Sequence, residues 1–176
     1  VVLKNGGKVL GKVRHPLSTQ DFSSFLLQAQ ASKAKVIGLA NAGADTTNAI
    51  KQGAEFGIVR GGQAFAGLLV FITDVHALGL EKAQGLVMTE TFYWDMNEQT
   101  RAFAKRFADR NRGIHPTMIH AGAYAGTLHY LKAVAALKSD DGTRVIAQMK
   151  EMPTDDPLFG KGTIRVDGRK IHPMYL

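Results

Sequence analysis

Cysteine is absent from the 176 residues. That excludes disulfides, thiolate metal sites and a cysteine nucleophile, while fitting a reducing cytosol and an oxidising periplasm equally. Long apolar runs are absent too. The longest, residues 64–73, has the length of a strand or short helix, far below the roughly 20 residues of a membrane-spanning helix. The opening VVLKNGGKVLG lacks the charged, apolar and small-residue order of a signal peptide, so any targeting segment is expected to have been removed or never present. Composition argues against disorder, since 45% hydrophobic and 21% charged residues are ordinary for a globular chain.

Catalytic and metal-binding patterns are also missing. Among the six histidines, His115 and His120 stand around Pro116, and His120 and His129 fall on different turns of a helix. No pair has the four-residue spacing of a helical metal site, and no metal is expected. Ser23-Ser24 lack the glycines of a nucleophile elbow, Asp155-Asp156 beside Pro157 read as a turn, and Gly61-Gly62 match neither phosphate-cradling pattern. The chain is therefore expected to be no enzyme and to carry no cofactor. A net charge of +7 raises nucleic acid as a partner, but the basic residues are dispersed. In residues 97–112, Arg101, Lys105, Arg106 and Arg110 interleave with Ala102, Phe103 and Phe107, as on a solvated helix face. Without a nucleic-acid motif, no nucleic-acid partner is expected.

What is present is an alternation of strand and helix patterns. In KVIGLANAGADTTNAIKQGAEFGI, Val36, Ile37, Leu39 and Ala40 form a short buried-strand run and Asn41-Ala42-Gly43-Ala44 a small polar loop. Asp45, Thr46 or Thr47 can cap a helix that continues through Ala49, Ile50, Gly53, Ala54 and Ile58. Ligands of open α/β sheets bind at such carboxyl ends of strands, where backbone N–H groups and the positive end of a helix face a crevice. An ordinary strand-to-helix turn is the other reading.

Around this unit the pattern predicts a last helical turn closed by Gly6-Gly7, a strand at 8–13 with an exit loop Arg14-His15-Pro16-Leu17, and a helix over 19–32. It also predicts strands at 67–71 and 85–91. Crossover connections make the sheet mainly parallel and covered on both faces. Residues 97–110, 117–137 and 144–152 then predict helices, a block with no strand of its own, and residues 162–176 a hairpin with an Asp167-Gly168 turn. Both ends read as interrupted elements, so a piece of a larger two-lobed protein is expected.

The order of elements from Gly6 to Leu176 comes with ANAGADTTNAIKQGAEFGI, LLVFITDVHALGLEKAQGL, TETFYWDMNEQTRAFAKRF, GAYAGTLHYLKAVAAL and FGKGTIRVDGRKI. Together they resemble the later part of ABC-importer substrate-binding proteins, specifically the branched-chain amino-acid (Leu/Ile/Val) receptor family. The resemblance implies an α/β periplasmic-binding-protein fold of type I: two doubly wound, Rossmann-like lobes joined by crossover strands, with solute held between them. Residues 1–90 would belong to the second lobe, 91–140 to a crossover and first-lobe helices, and 141–176 to the return into the second lobe.

By the same resemblance, Asn41, Ala42, Gly43 and Asp45 form one solute-contacting loop, with Ala42 standing near a position that often presents an aromatic ring. Thr73 and Asp74 form a second contact, Asp74 meeting a solute ammonium or serving only as a helix cap. Tyr93 and Trp94 would line the cleft floor or pack as core. The family's earlier half, which supplies the loop holding a solute carboxylate, lies outside this sequence. The implied protein is a periplasmic receptor, its signal peptide removed and monomeric when full length. It would capture an amino acid or an aromatic or aliphatic acid and deliver it to an ABC permease. A regulatory amino-acid or amide sensor on the same scaffold is the alternative.

Overall fold

A computed structural model describes residues 1–176, and they divide into two compact units, 1–89 (with Leu176) and 90–175. Unit 1 contains helices α1 (Ser23–Ala31), α2 (Gly43–Glu55), α3 (Ile72–Leu78) and α4 (Leu80–Ala83). Between them run strands β1 (Val36–Leu39), β2 (Ala64–Gly67) and β3 (Leu86–Met88). The strands form one parallel sheet in the order β1-β2-β3, with Val36 opposite Ala64, Leu39 opposite Gly67 and Phe65 opposite Leu86.

Because side chains alternate along a strand, this register puts Ile37, Leu39, Phe65 and Leu86 on one face. They meet Phe22 and Leu26 of α1, Ala49 and Ile50 of α2, Ile58 and Leu78 in a single cluster. The opposite face carries Val36, Gly38, Ala64, Ala66 and Val87. Val36 is 57% and Val87 42% exposed, so within this unit one face is left open, against the expectation of cover on both.

Polar side chains tie the helices to the sheet. Gln52 of α2 accepts the Phe22 N–H at 2.7 Å and donates to the Gln20 carbonyl at 2.7 Å. The buried Gln63 donates to the Ala29 and Ala34 carbonyls, satisfying groups that could not remain unpaired inside.

Several boundaries differ from the sequence reading. Helix α1 begins at Ser23 rather than 19, because Ser18 adopts φ +61°, the Thr19 hydroxyl donates to the Pro16 carbonyl, and Asp21 accepts the Ser23 N–H at 2.8 Å. Residues 8–13 form no strand; Val9 and Leu10 are exposed and meet no ladder partner. An apolar run becomes a strand only where a neighbour offers the ladder. The strand expected at 67–71 lies at Ala64–Gly67 instead, because it is Ala64–Gly67 that pair with the four residues of β1, while 68–71 lie outside the ladder. At the other chain end, a single helical turn at Leu3–Asn5 closes on Gly6 at φ +75°, as the Gly6-Gly7 signal predicts.

Unit 2 is built on α5 (Glu98–Arg110), α6 (Met118–Leu137) and α7 (Gly142–Glu151), followed by an antiparallel sheet of β4 (Thr154–Asp156), β5 (Gly160–Ile164) and β6 (Lys170–Ile171). Each helix has a polar start. Asn97 and Thr100 exchange side-chain bonds with each other's backbone N–H at 3.0 Å, Thr117 accepts from Ile119, and Asp141 accepts from Arg144. Such caps satisfy donors that a helix leaves open. Phe92, Phe103, Ala121 and Leu158 form the core, and the buried His129 joins α6 to the Met149 carbonyl of α7 at 2.8 Å. Glu90 and Tyr175, where the chain enters and leaves this unit, exchange both backbone hydrogen bonds.

Strand β4 was not legible beforehand, and the reason is Asp156. Its carboxylate is buried, yet it accepts the Leu158 and Phe159 N–H groups at 3.0 and 2.9 Å and the Lys170 ammonium at 2.5 Å. Lys170 also lies over the Phe159 ring. Burial opposes the charge on Asp156, but the Lys170 hydrogen bond and the two N–H donors outweigh it and hold its pKa below the ordinary carboxylate value.

A lowered folded-state pKa stabilises above the unfolded value, about 3.9, and that contribution is lost as pH falls through the folded value. Acid unfolding followed by hydrogen exchange at β4–β6 should therefore show protection that is level from pH 7 to about 5 and declines below about 4. Asp156→Ala should cost about 3 kcal/mol at pH 7 by stranding Lys170 and should remove that acid step. A second prediction concerns Gly53 of α2, where an added Cβ would lie 2.5 Å from the Phe65 ring. Gly53→Ala gains about 1 kcal/mol of helix propensity, but overpacking costs about 1–3 kcal/mol. The melting temperature should fall, and a rise would mean that Phe65 repacks freely.

Candidate functional site

Since β1 and β2 are parallel neighbours, their carboxyl ends lie at the same edge of the sheet, and the Leu68 N–H bonds the Leu39 carbonyl there at 3.1 Å. The loop after β1 and the segment from β2 into α3 both start from that edge. Ala42 is extended (φ −145°, ψ 161°) and exposed, and Gly43 takes φ +57°, a conformation glycine adopts without steric cost. No side chain caps α2, contrary to the expectation for Asp45, Thr46 or Thr47. Asp45 instead accepts the Ser18 N–H at 3.2 Å, and the Thr47 hydroxyl bonds the Ala44 carbonyl. The N–H groups of Gly43, Ala44 and Asp45 thus have no hydrogen-bond partner within the chain.

Asn41 is held from two sides. The buried Thr46 hydroxyl donates to Asn41 Oδ1 at 2.9 Å, and His15 Nε2 lies 3.2 Å from Asn41 Nδ2. His15, which the sequence reading assigned only to an exit loop, packs edge-on against Phe22 at 4.8 Å. Its one sequence signal was its place in a loop preceding an α/β unit, and the 26-residue separation from Asn41 hid the contact.

The second segment is simpler. Half-buried Asp74 is the third residue of α3 and accepts the Phe71 N–H at 2.9 Å through Oδ2. The cap-type role therefore exists, as a bond reaching back to the residue before the helix rather than as the N-cap itself. Asp74 Oδ1 and the Thr73 side chain make no bond within the chain. These residues share with the Asn41 loop the same edge of the parallel sheet.

Tyr93 and Trp94 belong to unit 2 and are described there. Trp94 is half-buried against the unit's core and stacks face to face on His115, with ring centres 3.9 Å apart and planes 4° from parallel. Tyr93 is 42% exposed. Asp95 pairs with Arg101 at 3.1 Å and caps nothing, since Asn97 does that work. Core packing is thus the observed part for Trp94, and Tyr93 is the ring left accessible. A crevice of about 230 Å³ in unit 2 is lined by Thr91, Met96, Asn97, Phe159 and Tyr175 among others, and none of the residues expected to contact solute lines it.

No group of three or more His, Asp or Glu side chains gathers to hold a metal, and no helix is long and apolar enough to cross a membrane.

Comparison with known proteins identifies the family. Residues 1–176 match a family model described as periplasmic binding protein. A periplasmic binding protein from Burkholderia mallei is 54% identical with TM-score 0.91, over 98% of this chain and 45% of its own. A branched-chain amino-acid ABC transporter periplasmic ligand-binding protein from Burkholderia xenovorans is 44% identical with TM-score 0.84, over 98% and 46%. An ABC-transporter solute-binding protein from Rhodopseudomonas palustris, solved with p-hydroxybenzoic acid, is 26% identical with TM-score 0.84, over 98% and 48%. The chain therefore spans just under half the length of these relatives. No significant match is found among curated proteins.

Proposed function

Because the chain belongs to the periplasmic binding protein family and shares its type I α/β fold, we propose that it is part of a periplasmic receptor delivering a small carboxylate-bearing solute to an ABC permease. The receptor binds without chemical turnover, as a monomer, and its solute is an amino acid or an aromatic acid. The observation carrying this reading is the shared carboxyl edge of β1 and β2, from which Asn41, Ala42, Gly43 and Asp45 start on one side and Thr73 and Asp74 on the other. Binding groups cluster at such edges because strand ends and helix starts leave polar groups open there. The relatives add the solute class: the Burkholderia xenovorans protein is a branched-chain amino-acid transporter component, and the Rhodopseudomonas palustris protein holds an aromatic acid.

Within this reading each residue has a stated part. Asn41 and the α2 N–H groups are hydrogen-bond donors to solute oxygen. Ala42, with only a methyl group, leaves room for a bulky side chain or ring. Asp74 Oδ1 accepts from a solute ammonium while Oδ2 keeps the bond to Phe71. Asp45 acts indirectly, by holding Ser18 beside the loop.

Two measurements on the full-length protein test this. In a thermal-shift panel of L-leucine, L-valine, benzoate, 4-hydroxybenzoate and glucose, at least one carboxylate should raise the melting temperature, because a ligand of the folded state stabilises it. Stabilisation by glucose alone would sink the reading. Asp74→Asn preserves an acceptor for the Phe71 N–H and removes the charge. It should weaken amino-acid binding by about 1.5–3 kcal/mol, the worth of a hydrogen bond to a charged group, and leave an amine-free acid unaffected. Equal leucine affinity in isothermal titration would remove Asp74 from the site.

A further inference from the structure

The segment from His15 to Thr46 determines a proton's position. His15 Nδ1 lies 2.7 Å from the Pro16 carbonyl oxygen. A carbonyl has no proton to give, so Nδ1 carries it and donates. In the neutral ring Nε2 is then bare and can only accept. Its neighbour at 3.2 Å is the Asn41 amide, which must therefore turn its nitrogen toward the ring. The opposite end of that amide, its oxygen, accepts the Thr46 hydroxyl at 2.9 Å. Donation runs one way along the chain, from Thr46 to Asn41 to His15 to Pro16. Aromatic packing keeps the ring in place: Phe22, only 2% exposed, meets it edge-on at 4.8 Å, and Phe25 lies at 6.0 Å.

We propose that His15 is a positioning residue for the solute loop, its bare Nε2 fixing the Asn41 amide so that the loop faces its solute as a hydrogen-bond donor. This rests on the reading of residues 41–43 as a solute loop and narrows its substrate class. Asn41 keeps one N–H beyond the bond to His15. The adjacent Gly43, Ala44 and Asp45 N–H groups have no side-chain cap and share its polarity. A solute group meeting this loop is thus an acceptor oxygen, from a carboxylate, carbonyl or hydroxyl, and an ammonium is turned away. With the opposite histidine tautomer the amide would reverse, offering its oxygen to His15 and its nitrogen to Thr46. The Pro16 carbonyl is what prevents this.

Long-range proton–nitrogen NMR of the ligand-free, full-length protein at pH 7.5 tests the first link. His15 should show a protonated Nδ1 and a bare Nε2, and a protonated Nε2 would overturn the proposal. His15→Phe keeps a ring against Phe22 and removes the acceptor. In it the Asn41 side-chain amide protons should exchange with solvent about three- to tenfold faster, matching the loss of one ordinary hydrogen bond, while backbone amides of β1 and α2 keep their protection. Unchanged Asn41 exchange would overturn the positioning role. Should the variant lose its backbone protection, the wild-type tautomer still decides. Both readouts are made without ligand, so a failure of the solute reading in the thermal-shift panel is distinguishable from a failure here.

Discussion

The parallel ladder between β1 and β2 is the constraint on which the candidate site depends. With Val36 opposite Ala64 and Leu39 opposite Gly67, both strands end at one edge. A slip of β1 by one residue against β2 would turn Ile37 and Leu39 out of the core and Val36 and Gly38 into it. Burial of two side chains, each worth about 1.5–3 kcal/mol, thus decides where Asn41 and Asp74 stand, although neither strand side chain meets a solute. Gly53 serves the same register by letting α2 lie directly on Phe65. The site is placed by packing and finished by hydrogen bonds.

Those finishing bonds separate scaffold from binding surface. Asp156 has two backbone donors and an ammonium around it and is closed to anything else. Gln52 and Gln63 are likewise occupied by backbone partners. Asp74 differs, since Oδ2 is tied to the protein and Oδ1 is free, and Asn41, although held at both ends of its amide, keeps one N–H open. A polar side chain held by the protein with one group left open is rigid without being satisfied. That combination suits recognition, because little ordering entropy remains to be lost on binding.

Much of the fold was readable from pattern alone. The strand–loop–helix unit over 35–58, the helices at 97–110 and 117–137 and the Asp167-Gly168 hairpin turn follow from periodicity, small loops and capping residues, which are local signals. The misses have non-local causes. Strand β4 was hidden because a buried carboxylate among prolines looks like a surface turn until Lys170 is brought to it. Residues 8–13 have strand composition, yet composition supplies no partner. In the candidate site the loop positions were legible, but the orientation of Asn41 was not, since it depends on a histidine 26 residues away. The bond from Asp74 to Phe71 was half visible: the spacing suits a cap, and only coordinates show which oxygen it uses.

Glu90 and Tyr175, hydrogen-bonded to each other in both directions, give unit 2 a topological property. The chain departs within about 5 Å, one strand-pair spacing, of where it came in, so the 86 residues from one to the other form a closed excursion. A segment whose ends already adjoin adds little loop-closure cost to whatever carries it. A change of length inside the excursion therefore leaves the Glu90–Tyr175 bridge geometrically undisturbed.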